Sequence, residues 1–247
     1  MVDIKHITDK RVDLYALAPF SERVKRLKRK SDLVDFTWSD LRLNGSKLTK
    51  EGVSSILEGV AVPDAPVLEH RLCENHRTLL GRFEDKLRMG READSALLDE
   101  FCAILSSEES PPYRKGAPLL YHLGFIPGDD DGIPEKLAEM FKALRRAESE
   151  DAYAGDFCRK AAAVHMGVLK VYPYAEGMTE LTARAAAQFE LVRAGYFPVD
   201  PDISEPEYNR ISADALKTGD PSEFAEVLRR ATLKKLDMLE KAVKSGV

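Results

Sequence analysis

The sequence has little of what marks secreted, metal-binding or membrane-spanning proteins. Its three cysteines, Cys73, Cys102 and Cys158, are odd in number and far apart, so they predict neither a disulfide framework nor a zinc knuckle. No apolar run approaches the ~18 residues of a membrane span, and the segment MVDIKHITDK lacks the apolar stretch of a signal peptide. We therefore expect a cytoplasmic protein without a membrane partner.

A surplus of positive charge is also missing. The chain has 37 Lys and Arg against 42 Asp and Glu, a net charge of −5, which disfavours a nucleic-acid partner. The basic cluster from Arg23 to Lys30 is flanked by acidic residues and is interpreted as a solvated helix face. Hydrophobic residues make up 44% of the 247 positions, which is enough for a globular core.

Helical periodicity is what the sequence does have. Apolar residues at helical spacing predict helices at 12–34, 49–57, 67–89, 134–148, 157–171, 182–194 and 223–244. The first of these is predicted to continue through Pro19. We expect a mainly α fold, with a helical extension at 1–34 and a single compact domain at 35–247. The segment 111–132, rich in proline and glycine, predicts a short β-hairpin on this helical body.

The most informative stretch joins two predicted helices, from Tyr172 to Arg184. A helix ends at Pro173, an acid and a glycine follow, and a new helix begins near Thr179. The start of a helix offers free N–H groups and partial positive charge, which suit an anion. This turn is therefore the place to look for a functional site.

The turn resembles the signature of the Fic family, His-x-Phe-x-Asp/Glu-Gly-Asn-Gly-Arg-x-x-Arg, between two helices of an all-α domain. The likeness extends to the flanking helices, to Tyr113-Arg114 before the proline-rich segment, and to the segment 43–49, and covers roughly residues 35 to 230. The resemblance implies a Fic-fold helical domain with a β-hairpin flap. A small molecule or a protein segment docked at the flap would be the substrate, and a homo-oligomer stays open.

The residues that serve AMP transfer in the family are changed here. Tyr172 stands in place of the histidine that accepts a proton from the target hydroxyl, and a phenol with a pKa of about 10 is a poor base. Thr179 replaces a glycine of the phosphate-binding nest. Glu180 replaces the arginine, so a negative charge would repel a triphosphate. The final arginine falls one position late, at Arg184, and we do not expect AMP transfer.

Three residues are the candidate catalytic groups. Glu176, at the family's magnesium position, is the candidate base or ligand, Tyr172 would donate a hydrogen bond, and His122 on the flap is a second candidate base. A lone carboxylate is a weak magnesium site, so no metal or cofactor is expected, with magnesium at Glu176 as the one alternative. The candidate substrate-binding residues are Arg184, Gly177, Thr179, Glu180, Tyr113 and Arg114.

Two functions stay open at this point. The first is a divergent transferase or other enzyme that uses the Fic pocket for a substrate other than ATP. The alternative is an inactive Fic-like binding or regulatory module. In many Fic proteins an inhibitory glutamate pairs with a signature arginine; Asn44 occupies the first position here and Glu180 is its expected partner, so this brake is not expected to operate. His165 is expected to be a structural histidine.

Overall fold

The computed structural model describes residues 2–110, 112–175 and 177–245. The protein is mainly α, as predicted. Within the described residues, helices α1 to α10 span, in order, Ile4–Ala16, Glu22–Leu43, Lys50–Leu57, Val67–Arg88, Ser95–Ser106, Ile133–Ser149, Phe157–Val171, Met178–Arg193, Glu205–Thr218 and Ser222–Ser245, and a 3₁₀ turn spans Tyr121–Leu123. Among these helices, none combines the length and apolar character that crossing a membrane requires.

Polar side chains set several of the helix starts. The Thr49 hydroxyl accepts a hydrogen bond from the Gly52 N–H at the start of α3, and the Ser204 hydroxyl accepts one from the Glu207 N–H at the start of α9. Asp156 opens α7 by accepting from two backbone N–H groups. Each cap satisfies donors that have no partner inside the helix.

The predicted helix 12–34 is wrong, because the chain forms two helices there. Helix α1 ends at Ala16, and α2 begins at Glu22 behind the cap residue Ser21. Pro19 lies in the break, where its missing N–H and fixed ring prevent helix continuation. Helix α2 is continuous through residues 34 and 35, so the predicted end of the N-terminal extension falls inside it.

The helix ranges predicted from periodicity leave out α5 and α9, and α5 had clear signals. Asp94 accepts a hydrogen bond from the Leu97 N–H, and Leu97, Phe101 and Leu105 are buried on one face. The capping aspartate and the helical spacing of the apolar residues are both visible in the sequence.

The predicted β-hairpin is not seen in the flap segment, which we define as residues 112–132. Among its described residues, the one pairing of the segment with itself is an isolated antiparallel bridge between Leu120 and Phe125, around the 3₁₀ turn. Prolines at 112, 118 and 127 supply no N–H groups, so a longer ladder of backbone hydrogen bonds cannot form.

Helix α8 is the centre of the packing, because nearly every residue from Thr179 to Leu191 is buried. Its alanines at 183 and 185–187 are small enough for close contact with α7. On another face, Phe189 meets Phe83 and Phe101 with ring centroids 5.4 and 5.6 Å away. The polar residues that α8 carries are therefore held inside the molecule.

Replacing Phe189 by alanine should lower the free energy of unfolding by about 3–5 kcal/mol, because it leaves a cavity in this aromatic cluster. Urea denaturation followed by circular dichroism measures the loss. Val67→Ala, at a residue that is 85% exposed, is the control and should change stability by less than about 0.5 kcal/mol. Equal effects of the two substitutions would contradict the central position of α8.

Candidate functional site

The loop between α7 and α8 is fixed by its own side chains. Tyr172 ends α7 with a left-handed backbone at φ 49°, and Gly177 has φ 78° at the start of α8. The Thr179 hydroxyl donates to the Tyr174 carbonyl and accepts from the Tyr174 N–H, both at 2.8 Å. Thr179 thus holds the loop. Glu176 lies outside the described residues, so its role as base or magnesium ligand stays a prediction.

The flap segment lies against this loop, as the resemblance implied. Tyr113 forms an isolated β-bridge with Tyr174, and the Arg114 N–H donates to the Pro173 carbonyl at 2.9 Å. The Arg114 side chain, predicted to bind substrate, is buried: Nε donates to the Tyr172 carbonyl at 2.6 Å and Nη2 to a flap carbonyl at 2.5 Å. Arg114 therefore ties the flap to the loop.

Three of the predicted site residues meet at one carboxylate oxygen. The Tyr172 hydroxyl donates to Glu180 Oε1 at 2.8 Å, and His122 Nε2 lies 3.2 Å from the same oxygen. The side chain of Glu180 is 8% exposed and that of His122 is 45% exposed. Burial and the adjacent Glu180 carboxylate raise the pKa of Tyr172 far above its ordinary value, so the phenol keeps its proton and donates a hydrogen bond to Glu180; its predicted role towards a substrate stays a prediction.

Arg184, predicted to bind an anion, instead forms a buried ion pair. Its Nε donates to Asp40 Oδ1 and its Nη2 donates to Asn44 Oδ1 at 2.8 Å. His76 Nε2 lies 2.7 Å from the other Asp40 oxygen. Burial alone would raise the pKa of Asp40, but the Arg184 guanidinium and His76 hold it below its usual range.

Two findings here differ from the sequence analysis. Asn44 pairs with Arg184, a contact that the sequence analysis did not predict, because α8 points residue 184 towards α2 while Glu180 contacts the flap segment. Asp40 and His76 were not proposed as partners of the site, since their helices are distant in sequence. A buried aspartate in an otherwise helical pattern was the available signal for Asp40.

His165 is a structural histidine, as expected. It is fully buried, and its Nε2 lies 2.8 Å from the Tyr208 hydroxyl. Burial, followed by the nearby Arg184 charge, lowers the pKa of His165 to about 3. The Arg184 guanidinium lies over the Tyr208 ring, 5.2 Å from its centroid, so this pair continues the buried polar network.

There is little free volume beside the Arg184–Asp40 pair, and the Tyr172 ring is closely packed. The cavity beside Arg184 and Asp40 has a volume of about 10 Å³, which cannot hold a phosphate. The Tyr172 ring packs with Leu120 and Leu123 of the flap segment. Nor do the described residues bring together three side chains able to ligate a metal ion.

Comparison with solved structures finds this architecture in Fic domain proteins. A Fic domain containing signaling protein from Bacteroides thetaiotaomicron has a TM-score of 0.79 at 16% identity, over 97% of this chain and 98% of that one. Fic-1 from C. elegans has a TM-score of 0.77 at 16% identity, over 98% of this chain and 72% of that one. IbpAFic2, in complex with adenylylated Cdc42, has a TM-score of 0.52 at 18% identity, over 95% of this chain and 72% of that one. Protein-family models and curated proteins gave no match. The chain has the Fic-domain fold.

The buried His165 should make stability depend on pH. Its pKa is lower in the folded chain than in the unfolded one, so its neutral form is stable above pH ~6.5, and stability is lost as the pH falls towards 3. In the wild type, the free energy of unfolding should fall between pH 7 and pH 5, and His165→Gln should make that fall about 2 kcal/mol smaller. Urea denaturation at the two pH values measures it. His6→Gln, at an exposed histidine, is the control; an equal effect there would contradict the assignment.

Proposed function

We propose that this Fic-fold chain does not transfer AMP and is a divergent enzyme of transferase type acting on a substrate other than ATP. The observation that carries the proposal is the cluster of Tyr172, Glu180 and His122 at one buried oxygen. A cytoplasmic location, and the absence of nucleic-acid and membrane partners, belong to the same proposal and rest on the composition.

The charges at the site argue against ATP. Glu180 is a buried carboxylate at the place of the phosphate-binding arginine, and it would repel a triphosphate. Arg184 is neutralised by Asp40, and three nitrogens of Arg114 donate to backbone carbonyls. Neither guanidinium is left to balance the phosphate charge.

The cluster supplies a different proton acceptor. His122 is held at Nε2 by the Glu180 carboxylate while much of its ring faces solvent. A carboxylate beside an accessible imidazole orients the ring, and imidazole is the side chain that most often serves as a general base. The Tyr172 hydroxyl in turn fixes the carboxylate. His122 would accept the proton of the substrate, and Tyr172 and Glu180 would position it.

The substrate would dock at the flap segment. IbpAFic2 is seen in complex with adenylylated Cdc42, a protein, which supports a protein segment as the substrate of this chain as well. A small molecule under the flap is the other form that the proposal allows. No cofactor is part of it.

The second candidate is an inactive binding or regulatory module. The observation in its favour is the apolar contact of Leu120 and Leu123 with Tyr172, which covers the site. The two candidates differ in whether the flap segment opens independently of the helical core.

Incubation with labelled ATP and magnesium should give no covalent AMP on the protein or on added proteins, and calorimetry should detect no saturable Mg-ATP binding. The physical reason is the carboxylate of Glu180 at the phosphate position. AMP labelling that disappears in Tyr172→Phe would overturn the proposal.

Hydrogen exchange distinguishes the enzyme from the module. In a working site, the amides of Arg114 and Leu120, whose backbone bonds hold the flap, should exchange at least roughly 100-fold faster than that of the core residue Phe189, through local opening. Exchange measured by NMR at two pH values tests this. Protection of the flap amides equal to that of Phe189 would favour the inactive module.

A further inference from the structure

One oxygen beneath the flap segment lacks a partner. Glu180 is 6% exposed, and its Oε1 is engaged by Tyr172 and His122. Its Oε2 is buried and meets no hydrogen-bond donor among the residues that the structure describes. Buried carboxylate oxygens are nearly always paired, so Oε2 has the capacity to accept a hydrogen bond from a ligand.

The two nearest arginines do not supply that donor. Arg184 lies one helical turn after Glu180, but its guanidinium is directed to Asp40 and Asn44. Arg114 donates to the carbonyls of Tyr172, Gly116 and Gly128. Neither forms an ion pair with Glu180 within the described part of the chain. A charged donor forms a stronger hydrogen bond to a carboxylate than a neutral donor does, so Oε2 favours a positively charged group.

The surroundings suit a cation with an apolar stem. His122 is the exposed partner of the carboxylate: its side chain is 45% exposed, and its Nε2 lies 3.2 Å from Oε1. Next to it in the flap segment, Tyr121 is 84% exposed, and Leu119 and Ile126 are 58% and 63% exposed. An aromatic ring and aliphatic side chains of this kind bind the stem and the charged head of an organic cation.

We propose that Glu180 and the flap segment bind an alkylammonium or guanidinium group of the substrate. The place that would hold a phosphate anion in proteins with an intact signature thus holds a cation in this chain. The inference deepens the proposed function and rests on it. The cation has two sources, a free amine or a lysine or arginine side chain of a protein segment, and the experiment separates them.

The experiment follows the His122 imidazole by NMR in the full chain labelled with ¹⁵N-histidine, with His122→Asn to assign the signal. n-Butylammonium chloride, the peptide acetyl-Gly-Lys-Gly-amide and sodium phosphate are added separately at constant ionic strength. We expect saturable shifts with both cations and none with phosphate. A peptide that binds at least ten-fold more tightly than the free amine identifies a protein segment as the source; equal affinity identifies a small molecule.

Two variants isolate the carboxylate. Glu180→Gln keeps the shape and removes the charge, so it should weaken cation binding at least ten-fold. Glu139→Gln is the matched control: it makes the same change at a carboxylate of α6 that is 73% exposed, so cation binding should persist. Thermal melts verify folding, and the wild-type comparison of cation with phosphate decides the question if Glu180→Gln does not fold.

Saturable binding of phosphate, unchanged affinity in Glu180→Gln, or no saturable shift with either cation would overturn the inference. These outcomes are separate from the ATP test. If the protein neither binds the cations nor transfers AMP, only the inferred class of ligand is wrong. If the protein transfers AMP, the proposed function itself is wrong.

Discussion

The buried ion pair of Asp40 and Arg184 is the interaction on which the arrangement of helices depends. Two charges inside a protein core are tolerated only when they are paired, and removing one partner of such a pair costs about 3–5 kcal/mol. Asp40 also contacts His76, and Arg184 also contacts Asn44 and the Tyr208 ring. The pair therefore fixes α2, α4, α8 and α9 relative to one another.

The same pair decides the chemistry of the site. With its guanidinium turned towards Asp40, Arg184 is not available to a ligand, and the cavity at its side is only about 10 Å³. The electrostatic character of the neighbouring loop then depends on Glu180, one turn earlier on α8. At that loop, the side chains of Tyr172 and His122 meet a buried carboxylate.

The flap segment contacts both the α7–α8 loop and Glu180 of α8. Arg114 fastens it to the α7–α8 loop through backbone carbonyls, and His122 reaches from it to Glu180. An arginine that donates only to carbonyl groups is a structural clamp, and it brings the flap close enough for a histidine to enter the site. Tyr172 and His122, which are distant in sequence, therefore meet at the same carboxylate.

The sequence by itself determined the mainly α class and most helix positions, because periodicity and caps act over one or two helical turns. Pro19 and the capping residue Asp94 are local signals of the break after α1 and of helix α5. Only the tertiary structure decided that Arg184 pairs with Asp40, that Arg114 clamps the flap, and that His122 meets Glu180. These pairs join residues 58 to 144 positions apart, and helix packing, which no local pattern encodes, sets which of them come within hydrogen-bonding distance.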